Sequence, residues 1–390
     1  MFLFDKTRNS RQRYSAGNKI ISVNWKIFLN TNPVFGAEST AVIDDKQNLY
    51  FGSHSGNFYS LDKCGKIRWV FTTKQKIYSS PALIDRSVFF AGGDGFVYSI
   101  DIHGNMNWTY DLSTSYIHNK YHRVISKIYH LPFTYSFARR RNITYRSWSS
   151  PNYIDKQIFI TGYGKGLVSL DIEGNILWEY DLGFPRYQLS GVAIDDNQHI
   201  YGASRNGYAY CVSRNGNLVW QKMIKRFWEP WGNPVVCQTN ETVYYFFSFH
   251  ESKGVIAAIS FAGKLKWQLT VGAIRGSCAV TKCGKYLYCC DLDGYIYKIN
   301  SLSGVIELRK KITNCKRGLW ITPTLDDNED ILLSTKESNT TGRVIKLNPE
   351  FDFIWEYHTN KVLSVPVINK NGDVFFGSWD GYYYSLKTKQ

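Results

Sequence analysis

One hydrophobic–polar motif recurs along this chain. Each copy is an apolar stretch, an acidic turn, a strand, a glycine-bearing hairpin, an alternating strand, a glycine turn and a strand carrying tryptophan. The second copy shows it whole, as SSPALID, SVFFAGGDG, FVYSIDIHG and NMNWTYDL. Within it Phe96, Tyr98 and Ile100 alternate with Val97, Ser99 and Asp101, the period of two that predicts β-strands bounded by turn residues. The hairpin glycines fall at Gly56, Gly95, Gly166, Gly207, Gly254, Gly294, Gly342 and Gly381, at spacings of 39, 71, 41, 47, 40, 48 and 39 residues. One interval alone is anomalous.

Four short antiparallel strands per repeat of about 40 residues predict a propeller blade. The fold class is therefore all-β, an eight-bladed β-propeller of four-stranded antiparallel blades over residues 22–388, preceded by a basic tail at 1–21. The last copy ends at Ser385-Leu386 after three strands, while Ser22 to Ile27 supply an orphan strand with its own Trp25. Pairing the two closes the ring and leaves no open sheet edge.

A Gly-x-x-x-Trp pattern marks the end of most units: Gly65 with Trp69, Gly104 with Trp108, Gly174 with Trp178, Gly216 with Trp220 and Gly263 with Trp267. Trp355 keeps the position without the glycine, and Leu308 takes the tryptophan's place in the sixth unit. Each indole is expected to pack between neighbouring blades. Leu61-Asp62 with Gly65 and Trp69, and Leu170-Asp171 with Gly174 and Trp178, resemble the tryptophan-docking repeat of the quinoprotein-like propellers. That family includes the quinoprotein (pyrroloquinoline-quinone) alcohol dehydrogenases and the bacterial outer-membrane assembly lipoprotein, so the resemblance implies the fold and leaves open both enzymes and propellers that only bind proteins.

Net charge of +15 and a pI near 9.3 favour an acidic protein or other polyanion as partner. In a meander the inter-blade links share a face with the central hairpins. The links carry Lys74, Lys76, Arg186, Lys225, Arg226, Arg275, Lys316, Arg317 and Lys361, with only Glu38 and Glu229 opposing them, whereas the opposite turns carry Asp44, Asp45, Asp85, Asp155, Asp195, Asp196, Asp326, Asp327, Glu329, Asp330 and Asp373. A basic face opposite an acidic one is expected.

The anomalous interval is an insertion at 113–147 in one of these links. It holds Lys120, Arg123, Lys127, Arg139, Arg140, Arg141 and Arg146 and no acid, which makes these the candidate partner-binding residues. Ile117, Tyr121, Val124 and Ile128 lie on one helical stripe, which Leu131-Pro132 ends. Aromatics interleave with arginine after that. A second set, Tyr78, Trp148, Trp228, Trp231, Arg275, Arg317 and Trp320, sits where links enter the innermost strands and should approach the mouth of the central channel, where the quinoprotein resemblance places a ligand. An aromatic, cationic rim suits a flat or anionic small molecule.

No catalytic constellation emerges. The resemblance implies a disulfide between adjacent cysteines beside the cofactor, yet Cys289-Cys290 ends an ordinary blade strand, where two thiols filling a core are the commoner case. No Asp, Glu and Asn set matches a calcium site, and His118 with His122 lacks a third ligand. No cofactor and no metal are expected. The start MFLFDKTRNSRQRYSAGNK has Asp5 after four residues and no apolar core of about 7–15 residues, unlike a signal peptide. With eight scattered cysteines and no apolar span, a reduced, cytoplasmic monomer is expected. The leading function is a non-catalytic binding or scaffold propeller that engages an acidic partner (protein, glycan or nucleic acid) on the insertion-bearing face. Its rivals are an enzyme or accessory protein of a biosynthetic pathway with a small-molecule site at the channel mouth, and a quinoprotein oxidoreductase.

Overall fold

The computed structural model describes residues 5–29, 36–112, 149–162, 166–181, 190–226 and 228–389. They form eight four-stranded antiparallel sheets, and the described residues contain no helix. Seven sheets follow chain order, over 42–72, 82–111, 152–180, 193–223, 235–271, 279–311 and 324–359. The eighth takes three strands from 367–389 and its outermost strand, β1 (Lys19–Phe28), from the beginning of the chain. Lys19 faces Lys389 and Phe28 faces Tyr382 in that pairing, so the ring closes as expected. Phe51 of the first blade stacks on Tyr383 of the last at 3.9 Å, sealing the joint with a shared core.

Eight apolar clusters lie between neighbouring blades. This changes what the period of two means. Tyr98 and Ile100 enter the cluster shared with the first blade, and Val97 enters the one shared with the third; both faces of the strand are buried. Alternation here sorts residues between two cores, and only the outer strands, such as Leu218–Met223, alternate toward solvent.

Each docking indole reaches across to the following blade. Trp25, Trp69, Trp108, Trp178, Trp220 and Trp267 donate Nε1–H to the carbonyls of Lys63, Ile102, Ile172, Arg214, Phe261 and Ser301 at 2.8–3.2 Å. Trp355 donates to Gly17 at 2.9 Å. The glycine that matters to each ring is therefore in the next unit. A Cβ on Gly104 would stand 2.9 Å from Trp69 and one on Gly174 2.6 Å from Trp108, and both glycines hold φ near 90°, where a side chain is strained. The sixth blade has Leu308 for tryptophan, and the seventh has Phe351 in the glycine's turn position, at φ 68° and fully buried in the cluster that Leu308 packs against. Small and large have exchanged places.

The N-terminal segment, expected as a basic tail, lies inside the ring. Innermost strands of a propeller leave one edge toward the channel, and residues 6–12 satisfy it blade after blade. The carbonyls of Lys6, Thr7, Asn9 and Ser10 accept from Ile194, Val236, Val280 and Leu325 at 2.8–3.0 Å. Gln12 takes Leu325 O and Ile368 N. Arg8, fully buried, donates to the carbonyls of Ser150, Pro151 and Val192 at 2.8–3.2 Å. Burial pulls its pKa down to about 9, with Asp5 opposing, so it stays a cation at neutral pH. Lys346, also fully buried, lies 3.1 Å from Asp326 and 2.9 Å from Asp330 and donates to Ala16 O and Asn18 Oδ1 at 2.6 and 3.2 Å. That ion pair clamps the segment as it leaves the channel.

Two predictions follow from these contacts. Leu308→Trp alone should overpack and cost about 1–3 kcal/mol, and Phe351→Gly alone should leave a void worth about 3–5 kcal/mol. The double variant should cost clearly less than the two together, measured by urea unfolding as a double-mutant cycle; strict additivity would show that the positions do not share one site. Deleting residues 1–17 removes the channel pairing at about 1 kcal/mol per hydrogen bond and strips Lys346 of the Ala16 carbonyl. The truncated chain should melt many degrees lower by calorimetry, and unchanged melting would mean the inner strands do not depend on the segment.

Candidate functional site

The links enter the innermost strands through a repeated small-polar position, often followed by proline: Thr40, Ser80-Pro81, Ser150-Pro151, Asn233-Pro234, Ser277 and Thr322-Pro323. These groups join neighbouring blades around the channel. Thr40 N–H donates to Ser80 Oγ and Ser80 N–H to Ser150 Oγ, both at 2.9 Å. Gly191 N–H donates to Asn233 Oδ1 at 2.6 Å and Ser277 N–H to Thr322 Oγ1 at 2.8 Å. The belt lines a cup of about 320 Å³ at the link-face mouth of the channel. A second cavity, of about 510 Å³, opens on the other face and is lined partly by residues 5–14, so the N-terminal segment floors that mouth.

Four of the expected channel-mouth residues meet in the cup: Tyr78, Trp231, Arg275 and Trp320. The Arg275 guanidinium lies over Trp231, 3.8 Å from the ring centroid, and 5.2 Å from that of Trp320. Burial lowers its pKa, with Glu229 and Glu251 pulling the other way. Trp231 is oriented by Nε1–H donating to Glu229 at 2.8 Å, and Glu229 also pairs with Arg205. Trp228 does not line the cup; it packs on Phe249 at 5.7 Å, because the link turns outward there before Trp231 turns in. Arg317 stays on the rim, where Nε donates to Glu251 at 2.7 Å. Trp148 and the seven insertion cations, Lys120, Arg123, Lys127, Arg139, Arg140, Arg141 and Arg146, lie outside the described residues.

Residues outside the expected channel-mouth set complete the wall. Glu38 lines the cup and pairs with His54 at 3.3 Å, and His54 packs edge-on against Tyr78 at 4.7 Å. Part of the belt was visible in the sequence as a serine or threonine before proline, at Ser80-Pro81, Ser150-Pro151 and Thr322-Pro323.

The sharp separation of charge does not hold as the turns alone suggested. Central hairpins bring Asp94, Glu251, Asp291, Asp293, Glu337 and Asp380 to the link face, where Glu251 meets both Arg275 and Arg317. On the opposite face several acids are turn caps. Asp44 accepts from Asn48 N–H and Tyr50 O–H, and Asp195 from His199 N–H and Tyr201 O–H, so these carboxylates are there for the backbone.

A quinone with calcium, which the resemblance brings to mind, fits these residues poorly. Glu38 is the one carboxylate in the cup wall, and among the described residues no three His, Cys, Asp or Glu side chains converge. Cys289 and Cys290 point to opposite sides of their strand, into the fifth–sixth and sixth–seventh blade cores, and neither lines the cup.

Residues 16–245 match the family model described as outer membrane protein assembly factor BamB. The chain belongs to this family. Among solved structures it is similar to BamB from Moraxella catarrhalis, with a TM-score of 0.70, 13% identity and coverage of 95% of this chain and 100% of that one. A quinohemoprotein alcohol dehydrogenase from Comamonas testosteroni gives 0.73 at 9% identity, over 99% of this chain and 79% of that one. A europium-containing methanol dehydrogenase gives 0.71 at 9% identity, over 96% and 88%. At such identities the likeness is one of fold. No curated protein sequence matches the chain.

Thiol chemistry offers a check on this arrangement. Burial pushes the thiols of Cys211, Cys237, Cys278, Cys289 and Cys290 up, which keeps them protonated and unreactive at pH 8. Iodoacetamide on the native protein should modify exposed Cys64 and Cys283 and half-buried Cys315, and reach the other five only after unfolding. Early modification of Cys289 by mass spectrometry, or a Cys289–Cys290 disulfide, would contradict the buried placement.

Proposed function

We propose that this chain is a non-catalytic binding propeller whose link face, with the cup and the 113–147 insertion beside it, engages an acidic partner. The cup carries this reading: a buried cation framed by Trp231 and Trp320 and open to one face of a ring whose other mouth is floored. The insertion's anchors support it. Leu112, where it departs, is buried and donates its N–H to Gly95 O at 2.9 Å. Ser149 and Ser150, where it returns, are buried, and Ser150 belongs to the belt of the cup. The described residue Ser150, just after the insertion, lies at the cup, and the insertion's sequence carries seven cations and no acid. Membership of a family described as an outer-membrane assembly factor is compatible with a protein-binding role. Eight unpaired cysteines favour a reducing compartment, and the closed ring favours a monomer.

Replacing Arg139, Arg140 and Arg141 together by Ser should weaken binding to heparin and to poly-glutamate several-fold. The affinity of the unmodified chain should fall steeply as salt is raised. Melting should shift by less than the equivalent of about 0.5 kcal/mol, as is usual for surface changes. A triple variant that melts early yet binds normally would make the insertion a structural lid.

A further inference from the structure

The cup holds donors that no described residue uses. The Arg275 side chain is 6% exposed and its Nη2 stands 3.6 Å from Glu251, beyond hydrogen-bond reach. Its Nε and Nη1 are buried and meet no acceptor among the described residues. Ser190 Oγ and Ser277 Oγ, both in the cup wall, are likewise buried without a hydrogen bond. Buried polar groups are almost always paired, and an unmet charged donor is the costliest kind. Three residues that line one small cavity and each hold a buried polar group without a partner among the described residues mark a recognition site.

The surroundings narrow the ligand. One guanidinium faces the cavity, while Glu38 lines it and Glu229 and Glu251 lie behind the arginine. Such a balance suits a single negative charge and disfavours a phosphate dianion, which would meet the same acids. Trp231, Trp320, Tyr78, Ile321, Leu363 and Val365 supply the apolar part of the wall, and about 320 Å³ accommodates an apolar or aromatic group beside the charge. We propose that the cup is a carboxylate site for a ligand with an apolar or aromatic body, its oxygens accepting from the free donors of Arg275 and from the hydroxyls of Ser190 and Ser277. The inference deepens the binding-propeller reading by naming what the cup recognises. The carboxylate is either that of a small aromatic acid or the C-terminus of a protein chain.

Calorimetric titration separates the possibilities. N-acetylphenylalanine and an acetylated tripeptide ending in phenylalanine should both saturate the site, and their C-terminal amides should bind about tenfold more weakly or worse. A tripeptide much tighter than the single residue assigns the site to chain termini; equal affinities assign it to small acids. Arg275→Gln should abolish the preference for acid over amide, and Ser277→Ala should reduce it. Amides that match the acids on the unmodified protein overturn the proposal, whatever the variants do, so a poorly folding Arg275→Gln does not protect it. Loss of this site with salt-sensitive polyanion binding intact would remove the carboxylate assignment and leave the function of the link face standing.

Discussion

Seven of the eight blades of this ring hand a tryptophan to the neighbour. An indole anchored in one outer strand gives its N–H to a carbonyl of the next blade and lays its ring over that blade's turn, usually on a glycine. Neither half of the contact exists without the other. A blade alone would expose its tryptophan and an uncovered apolar flank, so stability is shared between neighbours and only a closed circle leaves no flank exposed. Closure then demands that the chain's beginning meet its end. Trp355 donates to Gly17 and Trp25 to Lys63, so the closing strand is held by the docking contact on both sides.

Closure in turn fixes the channel and creates its difficulty. The innermost strands are two or three residues long and turn unpaired groups toward the axis. On one face residues 6–12 meet these groups, with the left-handed Arg8 and Ser10 letting the segment curl from blade to blade. Nearer the other mouth the small-polar belt does part of the same work, side chain to backbone across blade boundaries. The belt is interrupted where Gly191 and Val365 stand in the small-polar position, and Ser190 and Ser277 remain open. The cup is thus what remains of the channel after the fold has satisfied its own backbone.

The fold was legible because the repeat announces it many times over: glycine spacings near 40 residues and a recurring tryptophan are hard to produce any other way. What escaped was whatever crosses blade boundaries. Gly-x-x-x-Trp looked like one local motif, yet Gly104 serves Trp69 and Trp108 is served by Gly174. Nothing in MFLFDKTRNSRQRYSAGNK shows that Arg8 will be buried, since its acceptors are carbonyls more than a hundred residues away. At the mouth, position along the link placed Tyr78, Trp231, Arg275 and Trp320 correctly but could not tell Trp228 from Trp231, three residues apart and turned to different sides. Charge misled for another reason: the links were counted without the hairpins beside them, and acids such as Asp44 and Asp195 were read as a field when they cap turns.

These placements bear on how the link face can recognise anything. A basic insertion and an aromatic cup suggest two separate modes, one for a large acidic surface and one for a small ligand. The structure joins them, because the insertion returns into Ser149 and Ser150, and Ser150 is bonded by Ser80 in the belt that walls the cup. Any group seated against Arg275 and Trp320 shares the cup with Ser150, beside which that insertion returns. Long-range attraction from the insertion's cations is screened within about 10 Å at ordinary salt and cannot select one acid from another. A buried arginine with open donors can, since its acceptors must arrive with fixed geometry. On the proposed reading, attraction by the insertion and selection by the cup would be two stages in the capture of a single ligand.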